Sequence, residues 1–304
     1  MGARGRAAST GVLRRLRWRA EAAAFSVSSA ALGAASPRGR LAIGSTLGHA
    51  FWAIDARHRR AAERSIRLAY GGALAGPDVR RLARHSMRHF MRMIVETAAF
   101  QRAGADEAAG RIRAEGLDHL SAALQRGRGL IGFSGHFGNW ELLRLVAAHH
   151  GMASSAVARP LDNPLLEERL ARLRVRTGGR VLPKRGGVMA ALTCLRQGGF
   201  VTILIDQRPE RSGLAVPFFG RQAFAADALA LLALRTGAPI VPGFGFLDPD
   251  GTWRVVIEPE VGVVRTGDLR ADSERIMADC TAILERWVRR YPEQWLWTHA
   301  RLKA

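Results

Sequence analysis

The sequence predicts an α/β fold: a mixed, largely parallel central sheet covered by helices, preceded by a helical N-terminal layer suited to a membrane surface. Three observations carry this. From about Ala114 onward, short apolar runs alternate with helical patterns of 10–15 residues, the rhythm of a sheet covered on both faces. Before that, residues 56–100 read as helix throughout. Finally, 304 residues at 48% hydrophobic and 24% charged, with no low-complexity tract, suffice for a substantial core.

Residues 1–20 are arginine-rich, and Ala22 to Pro37 is uncharged. In outline this resembles a signal peptide, but the uncharged run is weakly hydrophobic and Pro37-Arg38-Gly39-Arg40 ends it. A second run, Leu41 to Ile54, is short of the roughly 20 residues a spanning helix needs. In GVLRRLRWRAEAAAF, Val12, Leu13, Leu16, Trp18 and Phe25 interleave with arginines. That suits a basic amphipathic segment lying on an anionic bilayer, or else a helix docked on the protein with a solvated basic face. Residues 1–54 are accordingly read as a membrane-associating segment and 55–304 as one folded domain.

Helices follow in ARHRRAAERSIRLAY and PDVRRLARHSMRHFMRMIVETAAF. Val79, Leu82, Met87, Phe90, Met91 and Ile94 recur near helical spacing in the second, as core or as the floor of an apolar groove. Candidate strands are Leu130–Ser134, Ala153–Ala158, Phe200–Asp206, Ile240–Phe246 and Trp253–Ile257. Helices are expected between them near Trp140–His149, Asn163–Thr177, Gly187–Gln197 and Asp227–Thr236.

The charge is unusual. Forty-six basic residues against 26 acidic give +20, and all but Lys184 and Lys303 of the basic ones are arginine. Guanidinium forks suit phosphate and carboxylate, so an anionic partner is expected: nucleic acid, anionic lipid or an acidic carrier protein. Nucleic acid drops out, since no RNP motif, zinc finger or recognition-helix signature is present. Cys194 and Cys280 lie in helix-like apolar patterns without a C-x-x-C, as buried thiols of a reducing compartment do.

Chemistry concentrates in GLIGFSGHFGNWELL, Gly129 to Leu143. Gly132-Phe133-Ser134-Gly135-His136 approaches a G-x-S-x-G elbow, but His136 stands where the second glycine belongs. A lipid esterase or hydrolase built on Ser134 is therefore the weaker reading. His136 and Glu141 are five apart, which on a continuous helix turns them roughly 140° from each other. They converge only if His136 sits in a strand-to-helix turn, which Gly135, Gly138 and a capping Asn139 permit. Glu141 would then fix the imidazole tautomer, and the helix N-terminus would keep His136 uncharged and basic. No enzyme nucleophile accompanies the pair, so the nucleophile arrives with the substrate; a hydroxyl attacking a thioester fits. No H-E-x-x-H or comparable ligand spacing is present, so no metal is expected.

These residues also carry a resemblance. Gly135-His136-Phe137-Gly138-Asn139-Trp140-Glu141 resembles the H-x4-E signature of bacterial late lipid A acyltransferases, the lauroyl and myristoyl transferases of the H-x4-D/E glycerolipid acyltransferase superfamily. In order along the chain, Arg159-Pro160-Leu161-Asp162-Asn163-Pro164, Asp206-Gln207, Pro217-Phe218-Phe219-Gly220 and Pro292-Glu293-Gln294-Trp295 resemble further blocks of that family, from about residue 55 to 303. The family's ending usually continues H-R-R, whereas here it is His299-Ala300-Arg301. The resemblance implies a glycerolipid-acyltransferase-like fold in which His136 is the base on an acceptor hydroxyl and Glu141 its partner. It further implies that Arg159 binds acceptor phosphate or the oxyanion, that Asn163, Asp206 and Arg208 line the same cleft, and that Phe218 and Phe219 form a lip of the acyl groove or part of the core. It implies no cofactor: the donor is acyl carrier protein or acyl-CoA, and the acceptor is an anionic glycolipid at the cytoplasmic face of the inner membrane. Phosphatidylinositol mannoside acyltransferases, which use acyl-CoA, resemble the same family.

Overall fold

The computed structural model describes residues 2–100, 109–158, 163–169, 180–183, 186–209, 213–299 and 301–302. Four helices come first: α1 (Gly2–Ala34), α2 (Pro37–Ile54), α3 (Ala56–Tyr70) and α4 (Gly76–Phe100). Ser36 caps α2 by accepting from Gly39 N, and Pro37 supplies the preset first turn. Two features seat α2 on α4. Gly44 and Gly48 present bare backbone, and a Cβ on Gly44 would lie 2.6 Å from Arg92 Cα. Arg40 and Glu96, 3% and 4% exposed, form a fork of two 2.9 Å hydrogen bonds between the helices. No helix among the described residues is long and apolar enough to cross a membrane.

The sheet has seven strands in the order β1-β9-β8-β2-β5-β3-β4. They are β1 (Ile112–Glu115), β2 (Leu130–Ser134), β3 (Ser154–Ala158), β4 (Arg180–Pro183), β5 (Phe200–Leu204), β8 (Ile240–Leu247) and β9 (Trp253–Ile257). Every neighbouring pair is parallel except β8 with β9, which is antiparallel. The mixed, largely parallel sheet expected from the alternation is therefore present. β6 (Leu214–Phe218) and β7 (Arg221–Ala225) form a separate hairpin. Helices α5 (Leu117–Gln125), α6 (Glu141–His149), α7 (Gly187–Arg196), α8 (Ala228–Thr236) and α9 (Leu269–Arg290) cover the faces.

Both faces of β2 are packed, which is why LIGFS reads as a continuous apolar run. Leu130 joins Met93, Leu142, Leu145, Val241 and Val255 on one side. Ile131 and Phe133 join Leu232, Phe244, Leu284 and Trp287 on the other. Of the expected helix over Asn163–Thr177, residues 164–169 are helical and 170–179 lie outside the described residues. The sequence reading did not assign β1, β4, β6, β7 or α5. β1 and β4 have only four residues each and β6 contains Pro217, so their local pattern does not separate them from loops.

Candidate active site

Strand register assembles the site. β2 and β5 run parallel with Ser134 opposite Leu204, and Ile205 N donates to Ser134 O at 3.0 Å. Two residues further along each chain, His136 and Asp206 therefore lie side by side at the carboxyl edge of the sheet, the usual location of ligand sites in such folds. His136 Nδ1 is 2.7 Å from Asp206 Oδ1, and the His136 backbone N–H donates to Asp206 Oδ2 at 2.6 Å. Trp295 Nε1 donates to the same Oδ2 at 2.9 Å.

Asp206 is fully buried. Burial alone would raise its pKa. The His136 ring and its hydrogen bond, the Arg301 guanidinium and the Trp295 N–H outweigh burial and hold the carboxyl well below its ordinary range. An ionised carboxylate only accepts, so a neutral His136 carries its proton on Nδ1 and leaves Nε2 with a free lone pair. Nε2 has the Gln207 amide at 3.4 Å as its neighbour. This is an imidazole held in one tautomer by a buried anion, the arrangement a general base requires.

The expected His136–Glu141 pairing does not form. Glu141 opens α6, and its carboxylate reaches forward one turn to Arg144 at 3.1 Å. Asp206, which arrives from 70 residues away, occupies Nδ1 instead. Glu141 still borders the same cavity as His136.

The C-terminal Pro292-to-Trp297 segment clamps the turn that bears His136. Leu296 N donates to His136 O at 3.0 Å, and Gly138 N donates to Gln294 O at 2.7 Å. Gln294 is itself held by Leu247 N and O at 2.9 and 2.7 Å. Gly138 has φ +55°, and any Cβ there would strike the Gly245 carbonyl oxygen. Asn139 Oδ1 accepts from Glu141 N at 3.2 Å, a loose form of the expected cap. Arg301, 2% exposed, donates to Ile205 O at 2.9 Å and so steadies the approach to Asp206. His299 packs its ring 4.5 Å from that of His136; burial chiefly, and then the neighbouring His136, lower its pKa.

A cavity of about 640 Å³ opens beside His136. Gly132, Thr202, Phe200 and Gly243 of the sheet and Leu120 and Leu143 of α5 and α6 line it, and His136, Trp140, Glu141, Arg144 and Gln207 give it a polar part. Among the described residues, no group of three or more His, Cys, Asp or Glu is placed to hold a metal ion.

The other expected site residues are dispersed. Ser134 borders the cavity but is 2% exposed and its Oγ has no hydrogen-bond partner, so no base activates it. Asn163 is buried as a structural tie. Its Oδ1 caps the helix at 164–169 through Leu165 N and Leu166 N, and its Nδ2 reaches Trp18 O and Glu21 on α1. Arg208 is exposed. Phe218 and Phe219 belong to the core and not to the cavity lip, because the β6–β7 hairpin turns them against Trp295, Trp297 and Tyr70. Arg159 lies outside the described residues. Trp295 and Arg301 were missed as part of the site, although the P-E-Q-W block was the available signal.

A mixed sheet with a buried carboxylate–imidazole pair at its carboxyl edge and a largely apolar cavity beside it is an arrangement able to support general-base chemistry on a substrate with an apolar portion. The chain belongs to the bacterial lipid A biosynthesis acyltransferase family, whose model matches residues 23–304. It is 29% identical over 188 residues to a phosphatidylinositol mannoside acyltransferase of Mycolicibacterium smegmatis, covering 59% of this chain and 58% of that protein. It is 27% identical over 195 residues to the lipid A biosynthesis lauroyltransferase of Escherichia coli K12, covering 62% of this chain and 61% of the other. The palmitoleoyltransferase of the same organism is 29% identical over the same length. The matched stretch thus spans less than two thirds of these relatives.

Proposed function

We propose that the protein is an O-acyltransferase that moves a fatty acyl group from a thioester to a hydroxyl of an anionic glycolipid. The observation that carries this reading is the His136–Asp206 pair opening onto a largely apolar cavity with no activated nucleophile beside it among the described residues. His136 Nε2 takes the proton of the acceptor hydroxyl, Asp206 stabilises the imidazolium, and the alkoxide attacks the thioester carbonyl. Collapse of the tetrahedral intermediate expels the thiolate, which recovers the proton from His136. The hydrocarbon tail occupies the cavity between β2, β5, β8 and α6, so burial of its methylenes contributes about 0.8 kcal/mol each.

The acceptor favoured is a lipid A precursor, with acyl carrier protein or acyl-CoA as donor; the family match and the likeness to lauroyl and palmitoleoyl transferases support it. A phosphatidylinositol mannoside is the second reading, supported by the mycobacterial relatives. The protein works at the cytoplasmic face of the inner membrane, attached through residues 1–54. Exposed Leu16, Val27, Ile43 and Leu47 alongside exposed Arg14, Arg15, Arg17 and Arg38 support an interfacial seat.

The test is transfer of labelled acyl groups from acyl carrier protein or CoA to each acceptor, with His136→Ala and Ser134→Ala beside the wild type. Label entering a glycolipid, lost in His136→Ala and retained at least in part in Ser134→Ala, is the expected result. Label in free fatty acid alone despite acceptor would make the protein a hydrolase, and full activity in His136→Ala would remove the mechanism.

A further inference from the structure

The polar part of the cavity holds two donors that the base mechanism leaves idle. Arg144 is 8% exposed and borders the cavity; its Nη2 pairs with Glu141 at 3.1 Å, while its Nη1 is buried without a hydrogen-bond partner among the described residues. Ser134, at the end of β2 and 2% exposed, likewise borders the cavity with an unpartnered Oγ. Both lie on the face of the sheet that α6 covers, since Ser134 shares the side of β2 with Leu130 and Gly132, and Leu130 packs with the α6 residues Leu142 and Leu145. An unmatched guanidinium nitrogen in a largely apolar enclosure is costly. It is the arrangement expected of a site whose ligand brings the missing acceptor.

We propose that Arg144, assisted by Ser134, holds the carbonyl oxygen of the acyl group bound in the cavity and stabilises the oxyanion that forms there. The proposal rests on the acyl-transfer reading above. As the acceptor C–O bond forms, the acceptor proton passes to His136 and the carbonyl π electrons move onto this oxygen. Nη1 and the serine hydroxyl donate to it. The electrons return when the C–S bond breaks and the thiolate leaves. Glu141 is then a positioning residue: it holds Nη2 and so aims the remaining donor. Its role lies with Arg144, and His136 answers to Asp206.

The test separates binding from turnover. A long-chain saturated fatty acid and the fatty alcohol of equal length compete with a fluorescent fatty acid for the cavity, in wild type and in Arg144→Gln. Wild type should prefer the acid by about tenfold to a hundredfold, the worth of one charge-assisted hydrogen bond. Arg144→Gln should lose that preference while keeping its affinity for the alcohol. In the transfer assay its kcat should fall roughly 10² to 10³-fold, as for loss of one oxyanion donor, with the KM for thioester changed far less. Should Arg144→Gln fail to fold, Arg144→Lys and Ser134→Ala carry the test, each expected to fall between the two in both readouts. Equal affinity of wild type for acid and alcohol, or a parallel loss of both ligands in the variant, would overturn the proposal. Preference for the acid in a wild type that transfers no acyl group would support the site and remove the acyl-transfer reading.

Discussion

His136 is held by one carboxylate, and the identity of that carboxylate matters to every experiment on the site. Asp206 receives three hydrogen bonds, two from His136 and one from Trp295, so its charge and position are both determined. Asp206→Asn keeps the shape but presents an amide to Nδ1, favouring the wrong tautomer. It should lower kcat roughly 10⁴-fold, the cost of the corresponding change in a serine-protease triad. Glu141→Gln leaves that pair intact and loosens Arg144 only, so its loss should be at least an order of magnitude smaller. Steady-state kinetics of the two purified variants check this; the reverse ranking would restore Glu141 as partner of the base. The local sequence could not decide between them. Glu141 was visible because it is five residues from His136, whereas Asp206 becomes a neighbour only through the pairing of β2 with β5.

At the level of elements, the turn after β2 and the α2–α4 pair are the two places where close approach is built in. In the turn, β8 and the Pro292–Trp297 segment grip residues 136–139 through the backbone, so His136 is positioned by three separate elements. Between α2 and α4, the bare faces of Gly44 and Gly48 let the buried Arg40–Glu96 fork form. Glu96→Gln strands a buried guanidinium and should cost about 3–5 kcal/mol. Gly48→Leu should unseat α2 by steric overlap with Arg88. Chemical denaturation and limited proteolysis of residues 37–54 measure both; unchanged stability in Glu96→Gln would mean the fork is water-exposed in solution. The sequence showed α3 and α4 to within a residue, because their 3.6-residue periodicity is long and amphipathic. It showed β2, β5, β8 and β9 because each is a compact run of apolar residues with β-branched or aromatic members, and β3 as a short, largely small-residue run. The short edge strands, and the hairpin that carries Phe218 and Phe219 into the core, depend on neighbours distant in sequence.

Over the whole molecule, the proposed interfacial seat would draw on both the excess of 20 positive charges and the exposed apolar residues of α1 and α2. Binding to vesicles containing anionic phospholipid should exceed binding to neutral vesicles at least tenfold. It should weaken as salt shortens the screening length from about 10 Å at 0.1 M to about 3 Å at 1 M, without vanishing. Ile43→Asp with Leu47→Asp should remove the salt-resistant part. Vesicle co-sedimentation decides it: equal binding to neutral vesicles would make the arginines a solvated face and leave attachment to apolar contact alone.

The amino-acid sequence alone carries the sheet-and-helix alternation, the helical N-terminal layer, the family resemblance and the placing of His136 in a strand-to-helix turn within GFSGHFGNWE. All of these are written in local periodicity or in contiguous blocks. Tertiary structure alone shows which carboxylate meets His136, that Trp295 and Arg301 pack around that carboxylate, and that Arg144 borders the cavity with an unpartnered Nη1. Those relations depend on the register of β2 with β5, which brings residues 136 and 206 together, and on the chain after α9, which lays residues 295 and 301 against them. No spacing along the chain encodes that meeting.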